Sequence, residues 1–103
     1  MNLVDYSGNV IRLTDERLNH IKEHPEMTIH TEKINETLSD PDIVVRSKID
    51  EEARLYYRYY EGLSIGNKHL CIVVKFKKGD AFVVTAYFTD SVKKGEAIWR
   101  RKK

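Results

Sequence analysis

The sequence predicts an α+β fold: a short N-terminal hairpin, then two helices packed on one face of a four-stranded antiparallel sheet. Three observations predict it. Helix signals are confined to the stretch between Thr14, a good N-cap, and the stop Asp40-Pro41-Asp42. After Pro41 the chain alternates with period two through four stretches rich in Val, Ile, Tyr and Phe. The connections between those stretches are short, whereas parallel crossovers need about a dozen residues or more.

Each element follows from local chemistry. Leu3–Tyr6 and Val10–Leu13 flank Ser7-Gly8-Asn9 and form a hairpin, with glycine available for positive φ. Thr14, followed by Asp15 and Glu16 at the positive end of a helix dipole, starts a helix over Asp15–Glu23. Pro25 ends it, because the residue before proline is pushed out of the α region. Leu18 and Ile21 are its inward residues. A second helix covers Thr31–Leu38, with Ile34 and Leu38 on one face. The strands are Ile43–Lys48, Arg54–Tyr60, Leu70–Phe76 and Ala81–Asp90, with a loop over Gly62–Asn67 and a turn at Lys78-Gly79-Asp80. Alternation directs Leu70, Ile72, Val74 and Phe76 at the helices, and likewise Phe82, Val84, Ala86 and Phe88. Thr85, Tyr87 and Thr89 fall on the other face.

A chain of 103 residues and 12.1 kDa implies one domain, residues 1–103. With 41% hydrophobic and 33% charged residues it belongs to the soluble globular class. No apolar run has the length of a membrane span, and residues 1–13 lack the apolar stretch of a signal peptide. The lone Cys71 cannot form an internal disulfide, which suits a reducing, cytoplasmic setting. Net charge is +2, but residues 1–52 hold 6 Lys/Arg against 12 Asp/Glu and residues 53–103 hold 12 against 4. The basic half suits a polyanionic partner, although Arg100-Arg101-Lys102-Lys103 supplies four of its charges and can equally be a solvated end.

Three motifs carry the chemistry. His20-Ile21-Lys22-Glu23-His24 sets two imidazoles four residues apart, with Arg17 on the same helical stripe. Such a pair suits acid–base work on a phosphodiester, a metal site given a further ligand, or simply two surface histidines at a helix end. The same five residues match the H-x-x-E-H zinc-peptidase pattern, but Pro25 cuts short the helix that pattern requires. Arg54-Leu55-Tyr56-Tyr57-Arg58-Tyr59-Tyr60 puts Arg54, Tyr56, Arg58 and Tyr60 on one strand face and Leu55, Tyr57 and Tyr59 on the other. Aromatic rings beside cations describe a surface for single-stranded nucleic acid, against the plainer reading of cross-strand packing. Thr85, Tyr87 and Thr89, followed by Lys93-Lys94-Gly95, offer hydroxyls and cations to a phosphate.

Taken in order, these pieces resemble a known family. Glu16-Arg17-Leu18 with His20-Ile21, His24-Pro25-Glu26, Leu38 with Pro41-Asp42, Arg54 with Tyr56-Tyr57, Val84-Thr85-Ala86-Tyr87, and Lys94-Gly95-Glu96 with Ile98-Trp99 are similar to the phage- and bacteria-associated branch of the barnase–EndoU–colicin–RelE nuclease fold. The ordered set spans residues 14–99, and it carries the resemblance because no single motif is diagnostic. What it implies is a metal-independent, cofactor-free endoribonuclease of toxin or effector type.

The resemblance points to His20, His24, Arg54, Tyr57, Thr85 and Tyr87 as catalytic positions, with either Tyr56 or Tyr57 at the matched tyrosine. Cleavage by attack of the neighbouring 2′-hydroxyl needs a base, an acid and cations. His20 and His24 would supply base and acid in either order. Arg54 with Lys93 or Lys94 would stabilise charge, Tyr57 and Tyr87 would stack or donate, and Thr85 would hold the phosphate. Arg17, Tyr56, Lys93 and Lys94 would contact substrate. The expected partners are RNA and a neutralising antitoxin or immunity protein, with no membrane. The competing readings are a non-catalytic RNA- or protein-binding module and a zinc site on the pentad.

Overall fold

Seven strands, not four, form one curled sheet that wraps two helices in this computed structural model, which describes residues 1–102. In chain order the elements are β1 (Asn2–Val4), β2 (Val10–Arg12), α1 (Asp15–Lys22), a 3-10 turn (Pro25–Met27), α2 (Glu32–Ser39), β3 (Ile43–Arg46), β4 (Ala53–Leu63), β5 (Gly66–Lys77), β6 (Asp80–Thr89) and β7 (Glu96–Arg100). The sheet order is β1-β2-β6-β5-β4-β3-β7. The four-stranded antiparallel sheet of the sequence reading is therefore corrected to a mixed sheet in which the β3–β6 meander is only the centre, although the class stays α+β.

Physical reasons for the extra strands lie at both edges. A hairpin of two three-residue strands is too short to stand alone, so it docks on the free edge of β6. There β2 pairs in parallel through Arg12 and Phe82, and the Arg12 guanidinium grips Asp80 with two bonds of 3.0 and 2.7 Å. At the other edge, β7 pairs antiparallel with β3 across a bulge at Val44/Val45, helped by Arg46 on Glu96 at 3.1 Å. The two edges meet: the rings of Tyr6, just after β1, and Trp99, in β7, lie 4.7 Å apart.

The helices fill the inside of the curl. Thr14 caps α1 by accepting from the Arg17 N–H at 3.1 Å, and the helix buries Ile21. Pro25 ends α1 and begins the 3-10 turn, which buries Met27. Ile34, Thr37 and Leu38 of α2 are buried. These meet Val44, Tyr56, Leu70, Ile72, Val74, Val83 and Ala86 from the sheet to make the main core.

Two further expectations change. Residues 62–67 are not a loop, since β4 runs to Leu63 and β5 starts at Gly66; Gly66 takes the positive φ of 99° that this tight turn requires. In β6 a bulge falls between partners Val83 and Thr85, so Ala81 and Val83 are the inward residues before it, in place of Phe82 and Val84. Among the described residues, no helix is long and apolar enough to cross a membrane.

Candidate active site

The sheet face turned away from the helices is built by register. Across β4, β5 and β6 it presents three rows: Tyr59–His69–Thr89, Tyr57–Cys71–Tyr87 and Leu55–Val73–Thr85. Val45, Leu55, Tyr57 and Cys71 are buried there as a second, smaller cluster, with Ile43, Val73, Tyr87 and Val92 half-buried against it. What covers Tyr57 is the segment after β6, whose Lys93 N–H donates to the Tyr57 phenol oxygen at 3.1 Å. Gly95 makes that docking feasible. A Cβ on it would come within 2.6 Å of both the Arg46 carbonyl oxygen and Val45 Cγ1, so the chain closes on β3.

Between this segment and the Ser47–Asp50 loop lies a cavity of about 540 Å³. Its floor is Leu55, Val73, Val84, Thr85 and Tyr87; both Val84 and Thr85 face it because of the β6 bulge. Lys48, Lys75, Lys93 and Lys94 stand around it. Lys75 is committed to Asp50 at 3.1 Å and Glu52 at 3.8 Å. The other three have no carboxylate partner among the described residues. Burial, and then the neighbouring Cys71, push the Tyr87 phenol up to about 12. Burial likewise raises the Tyr57 phenol and the Cys71 thiol. All three stay protonated near neutral pH.

The helix-covered face uses the same residue types differently. Tyr56 is fully buried, and its hydroxyl donates to Asp5 Oδ2 at 2.6 Å. That carboxylate also accepts from the Ser7 and Asn9 N–H groups, each at 2.9 Å. Tyr56 therefore fixes the hairpin turn to the sheet and cannot meet a substrate. Arg54 lies 4.1 Å above the Phe76 ring. Arg58 binds Asp40 at 2.8 Å, and Tyr60 donates to Glu36 Oε1 at 2.6 Å. On this face, packing between helix and sheet accounts for the interleaved tyrosines and arginines.

The pentad histidines are on the helix side too, both exposed. Arg17 and His20 share a shallow depression of about 310 Å³ with Glu16, Asn19 and Glu23, and His20 Nδ1 lies 3.7 Å from Glu23 Oε1. His24 is beyond the end of α1, with an extended backbone at φ −80° and ψ 114° forced by Pro25. The pentad is thus not presented on one helical face as the H-x-x-E-H pattern requires. Among the described residues, no three His, Cys, Asp or Glu side chains are grouped to hold a metal.

Residues 2–103 match the family described as phage-Barnase-EndoU-ColicinE5/D-RelE like nuclease2. The chain belongs to this family. No curated protein and no solved structure matches it. The membership covers nearly the whole chain, so the curled sheet with its inner helices is the fold of a phage-associated, nuclease-like domain.

In this nuclease-like domain, Tyr57, Thr85, Tyr87, Lys93 and Lys94 come together around the open face, whereas Arg17, His20, His24, Arg54 and Tyr56 lie on the helix side. Sequence reasoning missed Lys48 and Ser47, which line the cavity. Lys48 and Ser47 sit in a turn, where no period exists to assign a side.

Proposed function

We propose that this domain is a metal-independent endoribonuclease whose phosphodiester site is the open-face cavity. One observation carries the reading: two hydroxyls, on Thr85 and Tyr87, share a cavity with Lys48, Lys93 and Lys94, cations that no carboxylate neutralises among the described residues. Phosphoryl oxygens gain charge as the 2′-oxygen attacks phosphorus, and lysines at a partly apolar wall stabilise that charge more than they would in open water. Thr85 holds a non-bridging oxygen. Tyr87 donates to the leaving 5′-oxygen, which departs as a hydroxyl and leaves a 2′,3′-cyclic phosphate on the other fragment; water takes the 2′-hydroxyl proton and returns one to the Tyr87 phenolate.

Arg17, His20, His24, Arg54 and Tyr56 carry no step in this reading, because they lie across the sheet from the cavity. RNA is the substrate. A neutralising protein for such an enzyme would have to cover the rim formed by Lys48, Lys93 and Lys94.

The experiment is incubation of the purified domain with RNA in the presence of chelator, followed by end-group analysis. Cutting to cyclic phosphate ends, lost when the substrate carries 2′-deoxyribose at the cut site, is the expected result. Equal cutting of the deoxy substrate would refute the mechanism. Salt-sensitive binding of RNA with no cutting would replace it with a non-catalytic binding module.

A further inference from the structure

Resting on that ribonuclease reading, we propose that the apolar part of the open-face cavity seats one unpaired nucleobase of the cut strand, which makes single-stranded RNA the substrate. Thr85, Tyr87 and the rim lysines serve the phosphate, and a phosphate gains nothing from methyl groups. Yet Leu55, Val73 and Val84 line the floor, and Ile49 lines the cavity from the Ser47–Asp50 loop. Val73 and Val84 are only half-buried, so the fold leaves their methyl groups open to an occupant.

Ile49 is the telling residue. It is 94% exposed, more than any other large hydrophobic among the described residues. Looseness does not put it there. Ser47 Oγ accepts from the Ile49 and Asp50 N–H groups at 3.3 Å each, and the Asp50 carbonyl accepts from the Ala53 N–H at 2.9 Å. Lys75 binds the Asp50 carboxylate at 3.1 Å. The loop therefore holds an isoleucine in water at the cavity, where it gains apolar contact when something enters.

The cavity restricts what can enter. Its volume of about 540 Å³ lies within the ~300–1,000 Å³ of sites that enclose small organic groups on mostly apolar walls. Beside the apolar floor stand Lys48, Lys93 and Lys94, without carboxylate partners among the described residues. The occupant must then join an apolar body to an anion, and a nucleotide joins the two directly. The faces of its base lose water against methyl groups, while its phosphate reaches the lysines. A base inside a duplex has those faces stacked and its edge paired. It enters only after unstacking, whereas a base in a single strand is already free.

The test is cleavage of one RNA oligonucleotide by wild type and Ile49→Ala, with melting curves as a folding control. The oligonucleotide is offered alone, annealed to its full complement, and with an abasic ribose on either side of the cut. The duplex should be cut ~10²-fold more slowly or worse. One of the two abasic substrates should lose ~10-fold or more in kcat/KM, although its 2′-hydroxyl is intact. Ile49→Ala should raise KM ~10-fold with kcat little changed. In wild type, the methyl resonances of Ile49, Val73 and Val84 should shift on adding the uncleavable 2′-O-methyl oligonucleotide. Equal cutting of duplex and single strand, or of both abasic substrates and the intact strand, overturns the base site and leaves the phosphodiester site standing. So do an unchanged KM in Ile49→Ala and methyl groups that stay unmoved while RNA is cut. Shifted methyl groups with no cutting keep the base site and overturn the ribonuclease reading alone. Neither shift nor cutting overturns both.

Discussion

The two faces of the sheet draw on one vocabulary of tyrosine and basic residues and spend it in opposite ways. On the helix side, Tyr56, Tyr60 and Arg58 are each bound to a carboxylate, and Arg54 lies on Phe76. On the open side, Lys48, Lys93 and Lys94 surround two hydroxyls without a carboxylate partner among the described residues. The difference teaches that aromatic and cationic residues interleaved along a strand do not by themselves mark a nucleic-acid surface. In the function proposed above, what marks it is cationic charge that the fold has left uncompensated, next to donors that stay protonated.

Substitutions can break this comparison, and the largest effects belong to the open face. Tyr87→Phe removes the proposed donor to the leaving oxygen and should lower kcat by ~10²-fold or more, with melting temperature little changed. Tyr56→Phe should do the reverse. It takes the buried phenol donor away from Asp5 Oδ2, which keeps only the Asn9 Nδ2 donor at 3.1 Å; that costs ~1–3 kcal/mol, while the folded fraction cuts RNA at the wild-type rate. Chemical denaturation paired with initial-rate assays separates the two. Gly95→Ala joins both effects, because its Cβ would press on Arg46 and Val45 and displace the Lys93–Lys94 segment. It should cost ~1–3 kcal/mol and lower activity in the protein that remains folded.

A pH titration sharpens the comparison with a smaller effect. Burial is the first cause of the raised phenols of Tyr56, Tyr57, Tyr60 and Tyr87, the last to about 12. A phenol raised in the folded state favours folding fully below its unfolded value of about 10, and that contribution is lost as pH climbs toward the folded value. Stability should therefore fall above about pH 10, and Tyr56→Phe should flatten that fall. Thermal melts across pH 8–12 provide the check.

Much of this division was legible before folding. Period-two alternation correctly separates Arg54, Tyr56, Arg58 and Tyr60 from Leu55, Tyr57 and Tyr59, and Thr14 and Pro25 bracket α1. The commitments of those side chains were not legible. Asp5 reaches Tyr56 across 51 positions of sequence, and no local pattern announces such a bond. The hairpin of β1 and β2 was legible, but its docking on β6 and the strand β7 were missed for a related reason. β1, β2 and β7 are only three to five residues long and become strands by docking on edges that the rest of the sheet supplies. The β6 bulge shifts the alternation after Val83, so Val84 lines the cavity when strict period two would bury it against the helices.

The most direct test sets the two faces against each other in one assay: cleavage of a single RNA oligonucleotide by Lys93→Ala/Lys94→Ala and by His20→Ala/His24→Ala, both confirmed folded by their melting curves. The account predicts that the open-face pair loses ~10²-fold or more in kcat/KM, while the helix-side pair cuts near the wild-type rate. Loss of cutting in the histidine pair, with the lysine pair still active, would contradict it and return the chemistry to the helix side of the sheet.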